Sequence, residues 1–261
     1  MSEGDRSRPA DAVTDEEPDD SESSVSDFGI TARHAAVTHP RPSPVDEAAL
    51  TDPRFAVAAE LRRMTTALVG RPIPDDALRE AAVSLAAVAA HMEGAAGPGR
   101  RQRLQPDPEG HPQDFFPTSP VIGFANPVAP PVKVEVAEGG GLAGTAFFDY
   151  PYEGPPTCVH GGVIAMVFDE LLGAANIAAG CPGMTGTLTI RYRKPTPLRT
   201  ELRLEARCIG RQGRKVTTWG GISHGEELLA EAEGIFIELV PERFLEVVTA
   251  HAGDLPPGFT P

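Results

Sequence analysis

The chain has 261 residues and a formal net charge of −14, and eight of those charges fall in residues 1–27, where acidic residues meet only Arg6 and Arg8. A surface that tracks phosphates needs clustered Lys and Arg in excess, so nucleic acid is excluded as a partner, although a small anionic ligand is not. Cys158, Cys181 and Cys208 are odd in number and lack metal-ligand spacing, which points to a reducing, cytoplasmic setting and to chemistry without a metal or cofactor.

Residues 1–46 are rich in Asp, Glu, Ser and Pro, bury too little to offset chain entropy, and are expected to be disordered. Residues 47–97 read as a helical hairpin extension. In its first helix Val57, Leu61, Met64 and Leu68 share a face up to Gly70. Pro74 and Asp75 open the second, whose Leu78, Ala82, Leu85, Val88 and Met92 share a face until Gly94 and Gly97. The pair is expected to pack on something larger. Residues 98–131 form a proline-rich connector in which regular structure is excluded over most of the length.

The folded domain is expected at 132–240. Val132, Val134 and Val136 alternate, Gly139, Gly140 and Gly141 supply a turn, and 142–150 return as a second strand. One apolar helix follows at 161–179, then strands near 185–193, 201–210, 215–223 and 228–239, with tight turns at Gly210 to Gly213 and at His224 with Gly225. The fold class is therefore α+β, an antiparallel sheet wrapped around a long central helix. Residues 241–261 read as a tail without a role. The apolar run 163–179 is interrupted by Asp169 and Glu170, and the N-terminus lacks a basic region leading into an apolar core, so neither a membrane span nor a signal peptide is expected.

Chemistry concentrates at the start of that helix. Gly161 and Gly162 follow His160, so bare backbone N–H groups at a helix N-terminus are open to a ligand carbonyl and would stabilise the oxyanion it becomes. Asp169 and Glu170 interrupt an otherwise apolar helix, where an unpaired buried carboxylate needs a reason. Adjacent helix positions point about 100° apart, so one of the two serves a site and the other is partnered or exposed. Asp169 lies nine residues from His160, which is roughly 13 Å along a helix axis. One chain therefore cannot bring both to one carbonyl, and a homodimer (or a tetramer built from it) with two interface sites is expected.

The run Glu153-Gly154-Pro155-Pro156 leading to His160-Gly161-Gly162, the step to Asp169, then Met184-Thr185 and Tyr192-Arg193-Lys194-Pro195, resembles the PaaI-like and thioesterase superfamily member four-like group of the hot-dog superfamily. The resemblance covers about residues 119–239 and implies an acyl-CoA thioesterase. It implies that the Gly161 N–H forms the oxyanion hole, that Asp169 of the other subunit activates water or attacks directly, and that Thr185 positions that carboxylate or the water. Glu170 competes with Asp169, because related hot-dog groups use Glu at this position. Arg193, Lys194, Arg214 and Lys215, with Arg191 and Arg211, lie at strand ends and a turn, where some would hold the phosphates of CoA.

Plainer readings stand beside these. His160 serves as a helix cap, Thr185 is an ordinary strand residue, and the basic residues form a solvated face. Gly221-Ile222-Ser223-His224-Gly225 matches the nucleophile elbow of serine hydrolases, but little chain follows it and the later His251 precedes Asp254. A hot-dog protein that binds acyl-CoA without turnover is a further alternative, whereas a hydratase or dehydratase on the same fold would use an Asp-to-His helix pattern that this sequence lacks.

Overall fold

Apolar residues three and four apart generate the helix Gly161–Ala178 (α3), whose Ile164, Val167, Phe168, Leu171, Leu172 and Ala175 are buried on one side. They face a six-stranded antiparallel sheet in the order β1-β2-β4-β5-β6-β3, formed by Val132–Val136 (β1), Leu142–Phe147 (β2), Gly183–Tyr192 (β3), Glu201–Gln212 (β4), Lys215–His224 (β5) and Glu227–Glu238 (β6). Alternation along β6 puts Ala230, Ala232, Gly234 and Phe236 on the helix side. Two glycines let α3 come close: a Cβ on Gly220 would stand 2.9 Å from Leu172 Cδ2, and one on Gly234 would stand 3.1 Å from Leu172 Cδ1. The α+β architecture expected from the sequence is the one formed.

This computed structural model describes residues 53–97, 116–137 and 140–240. All of them belong to one unit. The expected disordered region 1–46, about half of the proline-rich connector (98–115), Gly139 of the first turn and the tail 241–261 lie outside the described residues.

The two N-terminal helices, Pro53–Gly70 (α1) and Asp75–Ala95 (α2), form where expected, but their predicted inner faces are not inner. Val57, Leu61, Met64 and Leu68 are exposed, and α1 instead packs through Ala58, Phe55 and Arg62. Phe55 meets Phe124 edge to face at 6.2 Å. The Arg62 guanidinium donates to the carbonyls of Ala129, Gly123, Phe124 and Asn126 at 2.7–3.2 Å. Those turn carbonyls have no ladder partner, so a cation with a fork of donors anchors the helix better than a leucine would. Helix α2 buries none of its residues.

Strand β4 also runs past its expected end, because a bulge between Cys208 and Gly210 absorbs a residue and lets pairing continue to Gln212 opposite Lys215. The turn is left to Gly213, at φ 57°, and Arg214.

Candidate active site

The segment before α3 is built to hold His160. Glu153 pairs with Val159 in an antiparallel bridge, and a Glu153 carboxylate oxygen accepts from the Thr157 N–H at 2.7 Å. A Cβ on Gly154 would stand 2.7 Å from the Cα of His160, so only glycine allows this approach. The His160 N–H donates to the Tyr152 carbonyl and the Val159 N–H to that of Thr196. The Glu153-Gly154 pair is thus the seat of the histidine.

His160 then caps the helix. Its Nδ1 accepts from the Gly162 N–H at 2.9 Å, which assigns the proton of a neutral imidazole to Nε2. The N–H groups of Val163 and Ile164 both reach the His160 carbonyl. Of the four N–H groups that a helix start leaves open, three are therefore occupied, and that of Gly161 alone has no partner among the described residues. Gly162 belongs to the cap and offers no free donor. At Gly161 the missing side chain is not demanded by the chain itself, because a Cβ there would meet nothing nearer than Tyr192 Oη at 3.5 Å. A bare residue that its own fold does not require is what close approach of a ligand would need.

One further turn group was not singled out from the sequence. Tyr192, at the end of β3, donates from its hydroxyl to the Gly161 carbonyl at 2.9 Å. Its place in the run Tyr192-Arg193-Lys194-Pro195 was the available signal.

Asp169 departs from the expectation of a buried carboxylate, since it projects from the exposed side of α3. Thr185 Oγ1 donates to its Oδ1 at 2.7 Å, and Oδ2 has no partner among the described residues. Glu170 points elsewhere and accepts from Ser119 Oγ at 2.9 Å, where the same hydroxyl receives the Val121 and Ile122 N–H groups. It ties the connector to α3, so of the two carboxylates only Asp169 faces open space.

The structure brings Asp169 to Thr185 and His160 to Gly161, Gly162 and Tyr192, but does not bring the two groups together. Eight helix residues separate Gly161 from Asp169, or roughly 12 Å of axis. The basic residues split the same way. Arg193 and Lys194 bond through their N–H groups to the Leu229 carbonyl, whereas Lys215 stands opposite Ile237, roughly 27 Å further along β6. Arg193 pairs with Glu231 at 2.5 Å and Lys194 with Glu227, and Arg214 donates to the Glu238 carbonyl at 2.9 Å. Burial alone would raise the Glu231 carboxyl, but hydrogen bonds from Arg193 and Trp219 and the charges of Arg193 and Arg191 outweigh it and hold the group below the usual carboxylate range. Phe168 is fully buried, whereas Met166 is partly exposed.

Ser223 is not on an elbow. It sits within β5 opposite Arg203, and Gly225 with Glu226 form a two-residue turn into β6, so no helix follows it.

A helix cradled by an antiparallel sheet, with a glycine-bared start and one exposed carboxylate, defines a hot-dog thioesterase scaffold. The chain matches the Thioesterase superfamily over residues 157–231. A solved thioesterase superfamily protein shares 32% identity with it, with a TM-score of 0.65, covering 76% of this chain and 93% of that one. The chain belongs to the thioesterase superfamily. It is also similar to the acyl-coenzyme A thioesterase THEM4 of Xenopus laevis, 41% identical over 95 residues that make up 35% of this chain and 42% of that protein. The mouse protein of that name is 37% identical over 93 residues, or 35% and 40% of the two chains. The matched region thus spans about two fifths of the length of these curated relatives.

Proposed function

We propose that this chain hydrolyses the thioester of an acyl-CoA to a free acid and CoA, as a homodimer with two sites across its interface. The carrying observation is the Gly161 N–H, without a partner among the described residues, on a residue that nothing among those residues requires to be bare. In this reading the thioester oxygen lies on that N–H. Asp169 of the other copy takes a proton from water, whose oxygen bonds to the carbonyl carbon, or attacks that carbon itself to give, once CoA has left, a mixed anhydride that water hydrolyses to the free acid and the restored carboxylate. The tetrahedral oxyanion then collapses, the C–S bond breaks, and CoA leaves as thiolate. A thioester suits so few groups, because its leaving thiolate needs little protonation.

The dimer is supported by β3, ten residues long and hydrogen-bonded, among the described residues, on one side only, to β6. Such an edge is a template for another strand. Antiparallel pairing of two copies centred between Leu188 and Thr189 would set Thr185 of one opposite Tyr192 of the other. The Asp169 of one copy then approaches the Gly161 of its twin, and the separated basic groups, Arg193 with Lys194 and Arg214 with Lys215, converge on one ligand. CoA phosphates are the anion proposed for them. The similarity to relatives named acyl-coenzyme A thioesterase favours the same substrate class, and free thiols at Cys158, Cys181 and Cys208 support a reducing, cytoplasmic setting.

Thiol release from short, medium, long and aryl CoA esters tests the reading. The wild-type chain turns over at least one class, and Asp169→Asn lowers kcat by about a hundredfold or more. Binding of these esters without thiol release would make the chain a carrier or sensor instead. Full turnover by Asp169→Asn together with loss in Glu170→Gln would move the site by one residue.

A further inference from the structure

The peptide that joins Gly161 to Gly162 is held from both sides. Its carbonyl accepts from Tyr192 Oη at 2.9 Å, and its N–H donates to His160 Nδ1 at 2.9 Å. Two consecutive glycines are the least restrained linkage a chain can have, so a helix start made of them frays unless something fixes it. The adjacent N–H, that of Gly161, is the one without a partner among the described residues; the carbonyl of its own peptide, that of His160, accepts from Val163 and Ile164, so with Tyr192 and the cap on the next peptide both planes flanking the Gly161 Cα are fixed. Tyr192 is not spent on the core: it is 54% exposed. A large aromatic ring that stands off the core of its own chain, with its hydroxyl on that carbonyl, acts as a brace.

We propose that Tyr192 is a positioning residue, which together with the cap of His160 immobilises the Gly161–Gly162 peptide and so aims the Gly161 N–H at the thioester oxygen. The inference rests on the proposed hydrolysis and assigns a role to a residue outside the expected site. Its effect belongs to the transition state, because a misaimed donor still admits the ground-state carbonyl but binds the oxyanion less well. A misplacement of about 1 Å is worth up to about a hundredfold in rate.

Tyr192→Phe removes only the hydroxyl. Two readouts decide the matter, steady-state thiol release and amide exchange of Gly162 followed by NMR on the labelled full chain. The expected result is a kcat lower by about ten- to a hundredfold with KM within about twofold, an unchanged melting temperature, and Gly162 exchange faster by about tenfold or more. Unchanged Gly162 exchange overturns the brace whatever the activity. Faster exchange with wild-type kcat overturns its catalytic consequence, and a raised KM at constant kcat would make Tyr192 a substrate contact. Absence of wild-type turnover on every ester would remove the proposed hydrolysis, while the exchange measurement would still decide whether Tyr192 holds the peptide.

Discussion

Between Thr185 and Thr187 strand β3 carries one residue more than β6, and Gly186 is left without a partner. The consequence is a change of face. Thr185 stands opposite Phe236, on the helix side with Leu188 and Ile190, whereas Thr187 and Thr189 pair with Ile235 and Glu233 on the other side. Without the bulge the three threonines would share one face, and the Asp169 carboxylate would lose its donor. Thr185→Val keeps shape and strand propensity while removing the hydroxyl. It should lower kcat by about tenfold with the melting temperature nearly unchanged, and in an Asp169→Asn background it should cost little more, because the two act as a unit. Equal losses in both backgrounds, measured by thiol release, would separate Thr185 from Asp169. Much of this site was legible: the glycines after His160 mark a bared helix start, and a carboxylate in an apolar helix marks an anomaly. The pairing of Thr185 with Asp169 followed from a family resemblance, since alternation alone assigns a strand threonine no role. That His160 both caps the helix and consumes the Gly162 N–H was not legible, because it depends on one side-chain rotamer.

Helix α3 shows why elements are easier to read than their contacts. Its apolar spacing predicts its length to within a residue, yet its depth in the sheet is set by Gly220 and Gly234, which periodicity treats as weak strand residues. Each vacates space for Leu172. Gly220→Val overfills that space, with the Leu172 side chain at 2.9 Å and the Glu205 carbonyl at 3.0 Å from the first added carbon. It should destabilise by about 1–3 kcal/mol, read as a melting temperature lower by roughly 3–10 °C. Trimming the neighbour in Gly220→Val with Leu172→Ala should recover part of the loss. No recovery would place the strain at the Glu205 carbonyl rather than under the helix. Helix α1 carries the opposite lesson. Its existence was legible, but its packed face was not, because Arg62 satisfies the carbonyls of the Gly123 to Ala129 turns and a charged residue reads as solvent-facing.

At the scale of the whole molecule, the proposed reaction needs two groups that one chain's helix keeps apart, so the assembly and the reaction are a single question. The room around Gly161 permits a clean test. Gly161→Ala adds a carbon that meets nothing among the described residues closer than 3.5 Å, at a helix position where alanine is favourable, so this protomer should fold while its bared tip is blocked. Asp169→Asn leaves the tip intact and disables the carboxylate. In a mixed dimer one site collects both defects, and the other combines an unaltered Gly161 with an unaltered Asp169. Random exchange of equal amounts makes half of the dimers mixed, each with one competent site of two, so thiol release should recover to about a quarter of the wild-type rate from two inactive parents. If both groups instead served one chain, every protomer in the mixture would remain defective, and activity would stay at the parental floor even with subunit exchange confirmed by mass.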